Sequence, residues 1–132
     1  MSSEGFEASV YDAVGGRPFF DDLVDGFYAG VGTDPLLRPM YPEDLAEPRR
    51  HLAGFLIQYW GGPSTYSEER GHPRLRMRHA PFAIGEAERD AWLRHMLASL
   101  DAVASARGTP VEAEARIRTY LTDVADFLVN AR

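Results

Sequence analysis

Residues 71–82 read "GHPRLRMRHAPF", a stretch in which arginine recurs at every second position and is followed by a histidine and a proline. Proline cannot continue a helix, and it also restricts the backbone of the residue before it. Pro81 therefore limits the backbone conformation near His79, which stands beside a group of cationic side chains. The stretch predicts a histidine in a defined orientation.

Three interpretations of His79 are open. A lone histidine most often has a structural role and hydrogen-bonds a backbone carbonyl. A zinc ligand is less favoured, because zinc needs several converging ligands and the chain has no HxxxH or HExxH spacing. Haem iron needs only one protein ligand, since the porphyrin supplies the others. The sequence alone leaves the structural and the haem interpretations open.

A haem would make two further demands on the sequence. Its propionates need polar or cationic partners, and arginine can bind a carboxylate through two hydrogen bonds. Its porphyrin needs an apolar slot. Taken singly, the candidates fit a solvated basic segment or an ordinary core equally well. The polar candidates are Arg74, Arg76, Arg78, His72 and Tyr66, and the apolar ones are Phe20, Leu52, Phe55, Phe82, Ile84 and Trp92.

The composition predicts one globular domain, with 132 residues of which 45% are hydrophobic and 26% charged. A net charge of −6 argues against a nucleic-acid partner, which would favour a basic surface. All 14 basic residues are arginine. The lack of cysteine excludes disulfides and thiolate sites. The sequence has no run of ~18 consecutive apolar residues, so no membrane-spanning helix is predicted. The N-terminus has neither the basic start nor the apolar run of a signal peptide, so a cytoplasmic location is expected.

Apolar residues recur at helical spacing almost throughout, and no segment shows the alternation of a strand. We expect an all-α fold. Residues 61–74 are polar, rich in glycine and proline, and predicted to form an irregular connection. A short first helix contains Val10 and Tyr11 and stops at Gly15-Gly16, and a short third helix is capped by Asp34 and ends before Pro39. A long helix is predicted from about Glu86 to Arg107, and a last helix begins with a capping box from Thr109 to Glu112. The two remaining predicted helices each bury one face: the second helix, which Pro18 opens, buries Phe20, Val24, Phe27, Tyr28 and Val31, and the fourth buries Leu52, Phe55, Leu56 and Tyr59.

The other histidines are assigned to less specific positions. His51 is predicted to lie on the surface of its helix. His95 could flank a site, but a polar residue on the side of the long helix is the favoured interpretation. His72 is predicted to be a solvated loop residue.

Several runs of sequence resemble the truncated haemoglobins of the second (O-type) group. The most specific is "YWGGPSTYSEERGHPRLRMRHAPFAIGEAERDAWLRHM" at residues 59–96. The runs "VYDAVGG" at residues 10–16, "FYAGV" at 27–31 and "LRPMYPED" at 37–44 are similar to that family as well. The resemblance extends over residues 10–130.

The resemblance implies a two-over-two helical sandwich around a b-type haem, as a single truncated globin domain. His79 would be the proximal iron ligand. Tyr28, Tyr41 and Trp92 would be distal hydrogen-bond donors, with the apolar Leu52 over the iron. The residues that would line or brace the haem are Tyr59, Tyr66, His72, Leu75, Arg78, Phe82 and Ile84. The domain would span residues 1–132, with residues 1–9 as an N-terminal extension that is free to be flexible.

One segment departs from the family. The run "YPEDLAEPRRHL", residues 41–52, is one residue shorter than usual, and the position of a distal histidine in many globins falls on Pro48. Proline has no side-chain donor, so the tyrosines and the tryptophan would have to stabilise a ligand.

These residues suggest a haem protein that binds O2, NO or CO. Several donors to bound oxygen would slow its release, which suits chemistry on the ligand, such as oxidation of nitric oxide or turnover of peroxide, with an unidentified reductase as partner. An oxygen store, a carrier or a gas sensor is the alternative, and a helical interaction module without cofactor is a third. The sequence leaves open whether the chain forms a homo-oligomer.

Overall fold

The computed structural model describes residues 9–131, and this part of the chain is helical, without strands, as the spacing predicted. None of its helices combines the length and the apolar character needed to pass through a bilayer. Residues 1–8, which make up nearly all of the predicted extension, lie outside the described part. The elements are α1 (Val10–Ala13), α2 (Arg17–Val31), a 3-10 helix (Arg38–Met40), α3 (Ala46–Tyr59), α4 (Thr65–Arg70), α5 (Leu75–His79), α6 (Glu86–Arg107) and α7 (Val111–Phe127).

The four long helices form two packed pairs. Helix α2 packs against α3, α6 packs against α7, and a large contact between α2 and α6 joins the pairs. Side chains from all four helices are fully buried where they meet, so the expected two-over-two arrangement is confirmed. The largest of these buried side chains are Phe19, Phe20, Leu23, Phe27, Leu56, Met96, Leu100, Ile117 and Leu121.

Glycine and proline set the helix ends where the sequence predicted them. Gly15 and Gly16 separate α1 from α2 with φ angles of 96° and 80°, a region that side-chain-bearing residues rarely adopt. Pro18 lies in the first turn of α2. Helix α6 runs over Glu86–Arg107 as predicted and ends at Gly108, whose φ is 61°.

The connection predicted over residues 61–74 is more ordered than the sequence suggested. It contains the six-residue helix α4, which the apolar spacing could not reveal because Tyr66 is the only apolar residue within it. Gln58 of α3 fixes this helix: its amide donates to the Ser67 hydroxyl at 2.7 Å and accepts from the Ser67 N–H at 2.9 Å. The prediction of an irregular loop was therefore wrong for Thr65–Arg70.

The capping box predicted at Thr109 is also wrong. The Thr109 N–H donates to the Ala104 carbonyl at 3.0 Å, which makes this residue part of the end of α6 rather than the cap of α7. Its hydroxyl is buried and finds no hydrogen-bond partner in the part of the chain that the structure describes. Helix α7 begins at Val111 after Pro110 and has no side-chain cap.

The helix predicted between Asp34 and Pro39 is a turn followed by the 3-10 helix, which includes Pro39. The predicted capping role of Asp34 is confirmed, because its Oδ1 accepts from the Leu36 N–H at 2.9 Å. The segment after Asp34 leads directly to Tyr41, so this cap fixes a corner that carries a candidate site residue.

Asp34 also ties that corner to α6. It is 8% exposed, and its Oδ2 accepts a hydrogen bond from His95 Nε2 at 2.7 Å and an ion-pair contact from Arg94 at 3.1 Å. His95 thus joins two parts of the fold and is more than the polar helix residue that the sequence suggested. The His95 hydrogen bond and, after it, the Leu36 N–H lower the pKa of Asp34 below its ordinary value.

We expect Asp34→Asn to lower the thermal midpoint at neutral pH. A carboxyl whose pKa is lowered in the folded state stabilises the fold at pH values above its ordinary pKa. This stabilisation is lost as the pH falls through the pKa of the folded state. The difference between wild type and variant should therefore shrink in acid, which thermal melts followed by circular dichroism between pH 7 and pH 3 would measure. Arg94→Ala is the matched control, because that side chain is 65% exposed and should contribute little. An Asp34→Asn variant that melts like wild type at neutral pH would contradict the role of this contact.

Candidate functional site

A largely apolar cavity of about 390 Å³ lies among the helices. Its size is within the range of small-molecule and cofactor sites. Every helix except α1, together with the corner after the 3-10 helix, contributes to its wall. The lining residues are Tyr28, Met40, Tyr41, Pro42, Pro48, His51, Leu52, Phe55, Leu56, Tyr66, Arg70, Leu75, Arg78, His79, Phe82, Trp92, Tyr120, Leu121, Val124 and Leu128.

His79 is the last residue of α5, and its imidazole lines the cavity. Its Nδ1 lies 2.7 Å from the Leu75 carbonyl oxygen, one helical turn earlier. A carbonyl can only accept, so Nδ1 carries the proton, and in the neutral ring Nε2 then holds a lone pair. The bond to a carbonyl expected of a structural histidine is thus present, and it leaves the second nitrogen able to bind a metal.

The turn that follows His79 is fastened by the C-terminal segment. The Asn130 amide donates to the Phe82 carbonyl at 3.0 Å and to the His79 carbonyl at 3.4 Å, and its oxygen accepts from the Ile84 N–H at 2.8 Å. The Asn130 backbone N–H donates to the Ile84 carbonyl at 2.8 Å. A residue far along the chain therefore holds the backbone that orients the cavity histidine.

Three polar aromatic side chains line the same cavity. Tyr28 from α2 is 4% exposed. Its ring packs edge-on against Tyr41, with centroids 5.5 Å apart. Trp92 from α6 lies beside Tyr41 and lowers the pKa of its hydroxyl. A phenol can donate or accept a hydrogen bond, whereas an indole N–H only donates.

Burial keeps both tyrosines protonated. It raises the pKa of Tyr41 to about 12, against the lowering effect of the neighbouring Trp92. Burial, and then the nearby Tyr41, raise the pKa of Tyr28 well above its ordinary value. At neutral pH both side chains are therefore neutral hydroxyl donors at the cavity wall.

Only one of the three arginines before His79 lines the cavity. Arg78 does so, and it donates to the carbonyls of Pro73 at 2.7 Å and Arg70 at 2.9 Å. Arg76 instead lies over the exposed ring of Phe127 at 4.9 Å, and Arg74 occupies the left-handed turn before α5 with a φ of 43°. The second cation of the cavity wall is Arg70, which the sequence did not single out.

Most of the predicted lining residues meet at this cavity, but three do not line it. Tyr59 is 51% exposed and stacks on Tyr120, which does line the cavity. His72 is exposed, and its Nδ1 accepts from the Arg74 N–H at 3.1 Å, which supports the turn instead. Ile84 lines a small adjoining cavity of about 70 Å³ that His79 and Trp92 also line.

Phe20, another candidate for the apolar slot, is fully buried core and stacks with Tyr11. Its place on the inner face of α2 was predicted correctly, yet it does not line the main cavity. Helical spacing identifies a buried face without distinguishing core from cavity wall.

His51 lines the cavity, although the sequence placed it on the surface. Its Nε2 lies 3.4 Å from a Glu47 carboxylate oxygen, and burial, followed by Arg70 and Arg50, lowers its pKa. The available signal was spacing: His51 precedes Phe55 by four residues, and Pro48 precedes Leu52 by four, so each pair shares a face. Pro48 lines the cavity as well.

The far wall of the cavity comes from α7 and its C-terminal end, which sequence reasoning missed. Tyr120, Leu121, Val124 and Leu128 recur at helical spacing, which is typical of a buried helix face, and all four line the cavity. Nothing in their own pattern separates the two roles, because an apolar cavity and an apolar core require the same side chains.

The donor set of the cavity fits a haem. The apolar walls suit a porphyrin, Nε2 of His79 is a suitable iron ligand, and Arg70 and Arg78 could face the propionates. Within residues 9–131 no three His, Cys, Asp or Glu side chains converge to hold a metal ion.

The chain is similar to known proteins over nearly its whole length. The bacterial-like globin family matches residues 9–126. The group 2 truncated hemoglobin YjbI of Bacillus subtilis is 48% identical over 93 residues, which are 70% of this chain and 70% of that protein. The hemoglobin of Chloroflexus aurantiacus superposes with a TM-score of 0.89 at 50% identity, over 94% of this chain and 99% of that one. A truncated oxygen-avid haemoglobin from Bacillus subtilis superposes with a TM-score of 0.85 at 41% identity, over 93% and 100%.

We expect Asn130→Ala to loosen the turn that follows His79. The variant loses three side-chain hydrogen bonds, each of which contributes ~0.5–1.5 kcal/mol, so the equilibrium constant for local opening should rise roughly tenfold or more. The informative probe is the Phe82 amide, whose own acceptor, the His79 carbonyl, is not removed. Its hydrogen exchange should accelerate, as NMR or mass spectrometry would detect.

Thr122→Ala is the matched control, because it removes an exposed side-chain hydrogen bond to the Arg118 carbonyl within α7. That variant should leave exchange at Phe82 unchanged. Equal exchange rates at Phe82 in wild type and Asn130→Ala would show that the turn does not depend on the side-chain hydrogen bonds of Asn130.

Proposed function

The chain belongs to the bacterial-like globins as a group II truncated haemoglobin, and we propose that it binds O2 at a b-type haem held by His79 and uses the oxygen in redox chemistry. Membership of this family implies a haem and small gaseous ligands. The observation that carries the proposal is the orientation of His79, whose Nδ1 is bonded to the Leu75 carbonyl while its ring faces an apolar cavity.

The haem would supply the binding position for O2, NO or CO, and the chain would supply the environment. His79 would be the protein ligand, and Leu52, Phe55, Leu75 and Phe82 would contact the porphyrin. Arg78 and Tyr66 would stand near the propionates. Arg78 donates to two neutral carbonyls in the structure. A guanidinium binds an anion more strongly than a neutral acceptor, so a propionate would be a favourable partner for Arg78.

The distal donors would act together, because Tyr28, Tyr41 and Trp92 line the same cavity. Burial keeps both phenols protonated, so their hydroxyls can donate, and the indole N–H is a donor in every protonation state of the cavity. A haem would supply the position at which a bound ligand gains partial negative charge, and all three groups would suit such a ligand.

Such donors would slow the release of oxygen. A charge-assisted hydrogen bond contributes ~1.5–3 kcal/mol, and ~1.4 kcal/mol changes an equilibrium tenfold. Slow release suits chemistry on the ligand, such as oxidation of nitric oxide or peroxide turnover with electrons from a reductase. The oxygen-avid character of the Bacillus subtilis relative supports strong retention. A store, carrier or sensor is the alternative, and measured O2 dissociation together with NO turnover would separate the two.

His79→Gly should lose most of its haem, because the variant lacks the cavity imidazole whose Nδ1 is bonded to the Leu75 carbonyl and whose Nε2 is left to bind iron. Imidazole added to the variant should enter the space left by the side chain and restore the absorption spectrum of a haem with an axial nitrogen ligand. Titration of the purified apoprotein with haem, with and without imidazole, would measure this. Full haem affinity in the variant without imidazole would contradict the assignment of His79 as the iron ligand.

Trp92→Phe should accelerate oxygen release more than Tyr28→Phe does. The phenylalanine keeps an apolar ring at the cavity wall but removes the indole N–H donor. Loss of one charge-assisted bond predicts roughly ten- to a hundred-fold faster dissociation. Tyr28→Phe leaves Tyr41 and Trp92 in place and should have the smaller effect.

Stopped-flow release of O2 from the ferrous proteins would decide the order. The double variant Tyr28→Phe with Trp92→Phe tests whether the donors are coupled, since independent donors give additive effects. If Trp92→Phe releases oxygen at the wild-type rate while Tyr28→Phe does not, Trp92 is only a cover for the cavity.

A further inference from the structure

A stacked pair of tyrosines connects the cavity to the protein surface. The rings of Tyr59 and Tyr120 lie 4.0 Å apart between centroids, with an interplanar angle of 26°. Tyr120 lines the cavity, whereas Tyr59 is 51% exposed. Two side chains in direct ring contact therefore span the distance from the cavity wall to solvent.

The outer end of this pair opens into a groove of about 440 Å³ between the end of α3 and α7. Both tyrosines line the groove, and so do Trp60, Arg116 and Asp123. The groove is distinct from the cavity but shares Tyr120 with it. An aromatic wall with a carboxylate beside it suits a flat aromatic molecule that carries a hydroxyl group.

Trp60 is the third ring of the cluster, at 5.0 Å from Tyr59 and 5.6 Å from Tyr120. The guanidinium of Arg116 lies over its ring at 5.7 Å, and a fixed cation disfavours a second positive charge there. Its indole N–H is buried and has no hydrogen-bond partner among residues 9–131, so an oxidised Trp60 would have no group in this part of the chain to accept its proton. Of the three rings, exposed Tyr59 is the one that can lose an electron and a proton together.

We propose that Tyr59 and Tyr120 form an electron-entry path, through which a phenolic donor in the groove reduces the oxidised haem site during peroxide turnover. This inference rests on the peroxidase-like form of the proposed function. Hydrogen peroxide is the oxidant: it takes up two electrons and two protons and yields two molecules of water. Two phenol molecules each give up one electron and one proton and leave as phenoxyl radicals.

Tyr59 carries each of these electrons in turn. It passes an electron to the cavity through its contact with the Tyr120 ring, and its hydroxyl proton leaves to water or to Asp123 in the groove. A phenol then returns one hydrogen atom to the Tyr59 oxygen. Tyr120 keeps its proton, since burial and the neighbouring Tyr59 raise its pKa above the ordinary value. The unpaired electron should therefore be found on Tyr59.

The experiment uses the full chain with haem, hydrogen peroxide as oxidant and p-cresol as the phenol. In wild type without p-cresol, freeze-quenched samples should show a tyrosyl radical by electron paramagnetic resonance, and ring-deuterated tyrosine should narrow its signal. Tyr59→Phe preserves the ring stack and removes the hydroxyl, so it should lose this radical. Its p-cresol oxidation rate should fall roughly tenfold or more, as expected for a barrier raised by at least ~1.4 kcal/mol.

Tyr120→Leu should give the same loss by breaking the ring contact. Tyr11→Phe is the control, because Tyr11 stacks on Phe20 and lines neither the groove nor the cavity. O2 dissociation and the first absorbance change on mixing with peroxide should be the same in Tyr59→Phe and wild type. These two readouts separate the path from the chemistry in the cavity.

Two results would overturn the path. Tyr59→Phe that oxidises p-cresol at the wild-type rate, with the wild-type radical signal, would overturn it while leaving the proposed function intact. A wild-type protein that binds oxygen but does not react with peroxide would remove the peroxidase-like function, and the path would fall with it.

Discussion

The hydrogen bond from His79 Nδ1 to the Leu75 carbonyl is the interaction on which the site depends. It selects one tautomer of the ring, and that choice makes Nε2 the only nitrogen able to bind a metal. The bond requires a short helix that ends at the histidine, and Pro81 provides that end. It also requires a stable turn afterwards, which Asn130 supplies from the other end of the sequence. Orientation of one ring thus draws on both local and long-range contacts.

Helix α6 relates the histidine to the distal donors. Trp92 projects from α6 into the cavity, and His95, one turn later, bonds Asp34 at the start of the corner that carries Tyr41. A single rigid helix therefore positions one donor directly and a second through the Asp34 contact. The third donor, Tyr28, belongs to α2, the helix that packs most extensively on α6. Donors on packed, regular elements keep their geometry better than donors on loops.

Local signals in the sequence predicted the features that local physics determines. The bounds of α6 follow from its apolar spacing and from Gly108, and the setting of His79 follows from Pro81. Features decided by distant partners escaped prediction. Helix α4 is held by the side-chain amide of Gln58. Tyr59 stacks on the ring of Tyr120, a residue far along the chain, and this contact has no local signal in the sequence. The cavity itself is of this kind, because its α7 wall consists of the same residue types as a filled core.

The chemistry of the cavity wall differs from that of a filled core. Tyr28, Tyr41 and Trp92 bring polar groups to a wall that is otherwise largely apolar. Burial raises the pKa of both tyrosines, so their hydroxyls stay protonated and can donate. His79 adds a nitrogen whose lone pair is left free by the bond from Nδ1 to the Leu75 carbonyl. An apolar wall with a few convergent polar groups is typical of a cofactor or ligand site. The wall therefore favours a bound cofactor independently of the resemblance to known globins.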